Sequence, residues 1–387
     1  MMAGGAPRVL LDGRKARDFG IGRYVTGLAA GLAALGDVEL SVLALPGDEL
    51  LFPAGVRTIP CPSSHYSLGE LLSVGRAARQ EGPDLFHAPH YVVPFGPPLP
   101  TVVTIHDLMH LTRPEHSAPA KRLYARWMIS RATRLAARVL TVSGASRQEI
   151  EERFPRARGK VRVVPNGVDP AFLSPPDPAD EERVRQRFGL GSSPFVLFLG
   201  NDKPHKNLAR LLDAWRSLEF PPDEERPLLV LAGGAAERAS ERRAALAARG
   251  LKEVDVRDLG VVNERDVAPL LSAARLLAFP SLAEGFGLPA LEAQAAGTPL
   301  LCSRRGGLPE AAGEAALYVD PESPASIAEG LGRLLSGKAL RRRLAGDGRR
   351  HAAAFTWEAA ARRTLAVYRE ALGEAAPGPP ATGRGSR

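Results

Sequence analysis

Short apolar runs alternate with longer stretches of helical periodicity along almost the whole chain. In the first half, "RVLL" (8–11), "VELSVLAL" (38–45), "DLFH" (84–87), "TVVTIHD" (101–107), "ARVLTVS" (137–143) and "VRVVPNG" (161–167) predict strands. They are rich in Val, Leu and Ile and lack the strict alternation of a half-solvated sheet, so both sheet faces are expected to be covered. Helices are predicted between them over 22–35, over 120–136 and from "SRQE" (146–149), where Ser146 followed by Glu149 matches a capping box. Alternation of this kind gives a mostly parallel sheet.

The pattern pauses and restarts. "PAFLSPPDPADEE" (170–182) is rich in proline and charge and reads as a linker. After it, "PFVLFLG" (194–200), "PLLVLAGG" (227–234), "VDVRDLG" (254–260), "ARLLAFPS" (274–281), "PLLCS" (299–303) and "ALYVD" (316–320) predict a second set of strands with helices between. The expected fold class is α/β, with two doubly wound domains in tandem over 1–170 and 191–355 and a linker over 171–190. A length of 387 residues suits two cores better than one. The closing stretch "FTWEAAARRTLAVYREAL" (355–372) is amphipathic, and the tail over 373–387 has too little apolar content to fold.

Composition narrows the class. Cys61 and Cys302 lie far apart without metal spacing and make no disulfide framework, which points to a reducing cytoplasm. The opening apolar run is too short for a signal peptide, and no run approaches the ~18 apolar residues of a membrane span. A net charge of +8 favours anionic partners, although arginine spread over solvated faces accounts for it equally well.

In doubly wound sheets, ligands sit beyond the carboxyl ends of the strands, so the loops after strands carry the candidate chemistry. "FGIGRY" (19–24) follows the first strand; Gly20 and Gly22 permit close backbone approach at a helix N-terminus that suits an anion. The third glycine of a nicotinamide fingerprint is Val25 here, which disfavours a dehydrogenase. "TIHDL" (104–108) sets His106 and Asp107 at a strand end. "GNDKPHKN" (200–207) places Lys203 and Lys206 where a phosphate would dock, without being a Walker loop. No H-x-x-H, C-x-x-C or D-x-D occurs, so neither a cofactor nor a tightly held metal is expected.

"AEGFGLPALEA" (283–293) carries Glu284 and Glu292. Pro289 suits a first helical turn, where its missing N–H costs nothing. Gly285, Phe286, Gly287 and Leu288 offer backbone N–H groups that can cradle an anion. Carboxylates repel phosphate, so the two glutamates are read as acceptors for hydroxyl groups. Amides for phosphate and carboxylates for hydroxyls together describe a nucleotide-sugar.

"EGFGLPALE" resembles the E-x7-E segment of retaining family-4 glycosyltransferases of the GT-B fold, and "GIGRY", "TIHDL", "VSGAS", "VVPNGVD", "GNDKPHKN", "GGLPE" and "ALYVDP" follow that family's order over nearly the whole chain. The resemblance implies a GT-B architecture of two Rossmann-like domains facing across a cleft, with the helix over about 357–372 crossing back to the first domain. It implies that Glu292 binds the donor ribose and Glu284 the donor sugar. Phe286, Gly287 and Leu288 would supply amides, and Lys206 would contact the diphosphate. His106 would sit at the reacting sugar, and Gly22 would back the phosphates. The turn at 260–262, with Val261 at its centre, looks like the base-binding turn. Many relatives carry arginine where this chain has Asn201; Lys203 stands in for that charge. This form is similar to the bacterial mannosyltransferase subgroup and leans toward GDP-mannose over UDP- or ADP-sugars, with a glycan or lipid-linked acceptor.

Other classes are weighed against this one. A glycoside hydrolase also uses two carboxylates, but not among phosphate-type loops. A nucleotide-sugar epimerase of the same fold would need no acceptor. A nucleic-acid-binding protein lacks any recognisable module here. "KRLYARWMISRATRLAAR" (121–138) is basic and amphipathic; it reads either as a core helix with solvated arginines or as a helix lying on an anionic membrane at the inner face of the plasma membrane.

Overall fold

The computed structural model describes residues 6–62, 68–96, 100–113, 118–175, 177–220 and 226–374. Seven strands, β1 (Arg8–Asp12), β2 (Glu39–Ala44), β3 (Arg57–Pro60), β4 (Leu85–Ala88), β5 (Thr101–Thr104), β6 (Arg138–Thr141) and β7 (Val161–Val163), form one sheet in the order β3-β2-β1-β4-β5-β6-β7. Six more, β8 (Phe195–Leu199), β9 (Leu228–Ala232), β10 (Val256–Asp258), β11 (Leu276–Phe279), β12 (Leu300–Ser303) and β13 (Leu317–Val319), form a second in the order β10-β9-β8-β11-β12-β13. Every pairing is parallel.

The near-continuous apolar strands follow from this arrangement. Val9 and Leu11 enter one core and Leu10 the other, while Phe195 and Leu197 face away from Val196 and Phe198. Successive side chains point to opposite faces, and here both faces are packed. Strand order reverses between β1 and β4 in one sheet and between β8 and β11 in the other. Such switch points open a crevice at the carboxyl ends.

The strand β3 was not expected. It is a sheet edge, half-exposed along its length and closed by Pro60, so it needs no apolar run. The predicted capping box is also displaced. Ser143 caps the helix Gly144–Arg153, accepting from the Ser146 N–H at 3.1 Å, and Ser146 lies inside the first turn. The stretch expected to link the halves is largely helical, with Pro170–Leu173 and Pro178–Phe188 each opened by an aspartate cap and a proline. Pro170 and Pro178 start helices, and Val184 and Leu190 bury themselves in the second half's core. The expectation of a disordered tail falls, from residue 375 onward, outside the described residues.

The helix Trp357–Leu372 returns to the first half. It lies along Phe19–Leu35, where Gly27 leaves room for the Trp357 indole and a Cβ on Gly31 would sit 2.9 Å from that of Ala361. Ala360, Ala361, Val367 and Tyr368 join the core of Val9, Leu11, Leu28 and Val42. The Tyr368 hydroxyl is 2.7 Å from His87 Nδ1, and His87 Nε2 is 2.8 Å from Thr104 Oγ1.

Candidate active site

The site is built from strand-to-helix loops of both halves. After β11 the chain runs through 280–287 and enters the helix Leu288–Ala296, with Pro289 in its first turn. This loop is held by its carbonyls. The Glu284 carbonyl accepts from the Gly307 N–H at 2.9 Å, and the Gly285 carbonyl accepts from Ser143 Oγ at 2.7 Å and Ser146 Oγ at 3.3 Å. In a trans peptide the N–H points opposite to the C=O. The Gly285 and Phe286 amides are therefore turned away from these anchors. Among the described residues, no N–H from Glu284 to Leu288 is given to a protein acceptor. Gly287 is held at φ +111°, and the Phe286 ring is buried against Phe355 with 6.1 Å between centroids. The aromatic side chain anchors the loop in the core and leaves its amide outward.

Lys206 lies in the 3-10 turn Pro204–Lys206 after β8. Its ammonium donates to Glu284 Oε1 at 2.8 Å and sits 4.8 Å from the centre of the Phe279 ring. The ring and the carboxylate fix the charge at the mouth of the loop. Lys203, at the start of the same turn, is exposed, and its charge is felt by His110 of the first half.

His106 follows β5, and its backbone abuts the same loop. A Cβ on Gly285 would lie 2.9 Å from the His106 carbonyl. The ring's Nε2 is 3.0 Å from the Pro89 carbonyl, which can only accept, so Nε2 carries the proton. Burial pushes this imidazole below its usual pKa, opposed by the Pro89 bond and by the charge of Asp107. The neutral ring thus presents Nδ1 as an acceptor. Tyr24 packs edge-on against it, with ring centroids 4.8 Å apart, and bonds Thr104 Oγ1 at 2.8 Å.

Glu292 is 2% exposed. Its Oε1 takes an ion pair from Arg23 Nη1, an arginine of the first half, whose Nε also meets Glu264 Oε1 at 3.2 Å. Its Oε2 is buried and has no partner among the described residues. Burial pushes the carboxyl above the ordinary carboxylate range, against the pull of Arg23.

The remaining expected residues take different positions. Gly22 is buried in the first turn of its helix, its N–H already bonded to the Asp18 carbonyl, and a Cβ there would strike the Ala16 carbonyl. It lets the loop close and has no free amide for a phosphate. Val261 is 63% exposed on a turn whose Gly260 carbonyl accepts from the Gly233 N–H at 2.7 Å.

Three features escaped sequence reasoning. Arg23 follows the glycines of "FGIGRY" and carries no local mark of its partner Glu292. Glu310, from "GGLPE", reaches the N-terminus of Gly144–Arg153 and accepts from the Gly144 and Ala145 amides at 2.7 and 3.1 Å. Arg14, buried in the loop after β1, forks Asp12 at 2.8 and 2.7 Å and meets Glu70 at 2.9 Å. Among the described residues no three His, Cys, Asp or Glu side chains gather as metal ligands, and no helix is long and apolar enough to cross a membrane.

Two parallel α/β sheets with their switch-point loops converging on one cleft define the GT-B class of glycosyltransferase. Residues 180–351 match the model for glycosyl transferases group 1, and residues 20–172 match that for glycosyltransferase family 4. The chain is 30% identical over 285 residues to O-antigen chain mannosyltransferase B of Escherichia coli, covering 74% of each chain. It is 34% identical over 290 residues to the MMP alpha-(1->4)-mannosyltransferase of Mycolicibacterium hassiacum, covering 72% of this chain and 67% of the relative. Among solved structures, sucrose-phosphate synthase from Thermosynechococcus elongatus superposes with a TM-score of 0.76 at 24% identity, over 95% of this chain and 99% of that one. Anabaena HepE, solved in complex with UDP and glucose, gives 0.75 at 20% identity, over 94% of this chain and 100% of that one. The chain belongs to the family-4 glycosyltransferases and is a hexosyltransferase.

Proposed function

We propose that the chain transfers mannose from GDP-mannose to a glycan or lipid-linked acceptor, with retention of anomeric configuration and without a metal. The observation that carries the reading is the loop 284–288, pinned by its carbonyls and offering its amides beside the Lys206–Glu284 pair. The names of two mannosyltransferase relatives support mannose.

In this reading Glu292 receives the ribose, Glu284 a hydroxyl of the mannose, and Lys206 with the loop amides receives the diphosphate. Lys203 adds charge at the rim, and Val261 flanks the base. His106 takes a sugar hydroxyl at Nδ1. The C1–O bond to the diphosphate breaks as the acceptor oxygen bonds C1 on the same face, and the acceptor's proton passes to the departing diphosphate oxygen. The protein's part is to position the partners and to stabilise the negative charge that develops on the leaving group.

Thermal unfolding in the presence of GDP-mannose, UDP-glucose and ADP-glucose tests the donor. A ligand at ~100 times its dissociation constant adds ~2.7 kcal/mol to the native state, so GDP-mannose is expected to give the largest rise in Tm. A larger rise with UDP-glucose would replace the donor assignment, in line with the UDP seen in HepE. Turnover that survives EDTA is expected, and its loss would remove the metal-free step.

A lipid-linked acceptor is favoured by the helix Pro119–Leu135. Ala125, Met128, Ile129 and Ala132 are buried, as the core reading expects, but Leu123 and Trp127 stand 71% and 49% exposed beside Lys121, Arg126 and Arg134. Arg131 of the same basic stretch lies buried and donates to the Pro94 carbonyl at 2.7 Å. An exposed Trp and Leu among basic residues suit the headgroup layer of an anionic membrane. The protein is expected to sediment with phosphatidylglycerol vesicles and not with phosphatidylcholine alone. Trp127→Glu should abolish this, and sedimentation unchanged by that substitution would refute the surface.

A further inference from the structure

We propose that Arg23 is an internal competitor for the donor, a residue of the first half that covers the ribose carboxylate and must release it for a ribose to hold both oxygens. The inference rests on the reading of Glu292 as the ribose acceptor. Three observations carry it. The Arg23 guanidinium crosses from the helix Phe19–Leu35 to Glu292 and Glu264 of the second half, so one side chain spans both halves at the carboxylate. Glu292 is closed to solvent, and its Oε2 is a buried charged acceptor with no partner among the described residues. Native proteins rarely leave such a group unpaired, and each instance calls for a reason. A ribose supplies one, because its two adjacent hydroxyls are donors for two carboxylate oxygens.

While Arg23 stays, a ribose must share Oε1 with its guanidinium, and only Oε2 is unclaimed. Of the two partners, Arg23 is the one able to move. Its side chain is 28% exposed against 3% for Glu292, it stands 5.9 Å from the Phe172 ring, and Glu264 at the rim is itself exposed. Donor binding therefore exchanges an ion pair between the halves for hydroxyl bonds within the second half. Arg23 thereby sets the threshold affinity for the nucleotide.

The test is calorimetric binding of GDP and of UDP to the full chain, in wild type, Arg23→Ala, Arg23→Gln and Glu292→Ala. Removing the competitor is expected to tighten binding roughly 5- to 50-fold, within the usual span of coupled equilibria. The donor KM should fall in both arginine variants while kcat does not rise. Arg23→Gln keeps much of the side chain's bulk and serves where Arg23→Ala fails to fold. Unchanged or weaker binding in a folded arginine variant overturns the proposal. Binding to Glu292→Ala as tight as to wild type would instead overturn the ribose assignment beneath it.

Discussion

Lys206→Ala is expected to lower kcat by about two to three orders of magnitude in a protein that still folds, with a lowered melting temperature because the largely buried Glu284 loses its counter-charge. The size follows from what single preorganised donors at a developing charge contribute elsewhere, ~10²–10³ in rate. Lys206 can act as such a donor because it does not move freely. Its ammonium is fixed by Glu284 Oε1 at 2.8 Å and by the face of Phe279 at 4.8 Å. The substitution also strips Glu284 of its counter-charge, and an unneutralised carboxylate next to the loop amides repels a diphosphate. The donor KM should therefore rise together with the loss in kcat. Lys206→Arg should rescue only in part, since the guanidinium keeps the charge but is larger and differently shaped from the ammonium held between ring and carboxylate. Steady-state rates at saturating donor, with circular dichroism to verify the fold, decide the matter. A rate near wild type would remove Lys206 from the chemistry.

Gly287→Ala is expected to damage both stability and turnover. The residue sits at φ +111°, where a side chain is strained whatever its surroundings, and an added Cβ would lie 2.5 Å from Leu308 Cδ2. Leu308 is itself buried and cannot retreat freely. Backbone strain of ~1–3 kcal/mol and overpacking of ~1–3 kcal/mol together give roughly 2–6 kcal/mol of destabilisation. Gly36→Ala supplies the comparison, since Gly36 has φ +69° with no neighbour near its absent Cβ. It should show only the backbone part, about 1 kcal/mol or a little more. Urea denaturation of the two variants separates the contributions. Equal losses would mean that Leu308 yields and that the loop is softer than its packing indicates.

The parts of this molecule that could be read from the sequence are those whose cause is local. Buried parallel strands must be apolar on both faces, so all but β3 announce themselves, and β3 does not because it is a short edge strand that pairs Arg57 and Thr58 with a closing Pro60 and has no apolar run. The loop 283–288 was legible because its glycines and Pro289 answer to backbone geometry that no other residues satisfy as cheaply. Pro170 and Pro178 are ambiguous by themselves for the same reason turned round: proline marks a helix start as readily as a break, and only the aspartate before it tells which. What pairs across the cleft left no local mark. Arg23 and Glu292 are 269 positions apart, and Gly144 and Glu310 are 166 apart, each an ordinary charged or small residue in its own neighbourhood. The choice of tautomer at His106 rests on the Pro89 carbonyl, 17 residues away and contributed by another strand's loop.

The helix Trp357–Leu372 has a consequence for how the chain comes into being. Translation delivers the first sheet early, yet the face made by Val9, Leu11, Leu28 and Val42 is completed by Val367 and Tyr368. A nascent first half must therefore wait, with apolar surface uncovered, while the whole second half is made. In that interval it is open to misassembly and to chaperone capture. The second sheet has no such debt, because its core draws on residues that are contiguous from Val168 through Ala352 apart from Val142. The half synthesised second is thus placed to fold first, and the cleft between the two exists only after the last helix has been laid down.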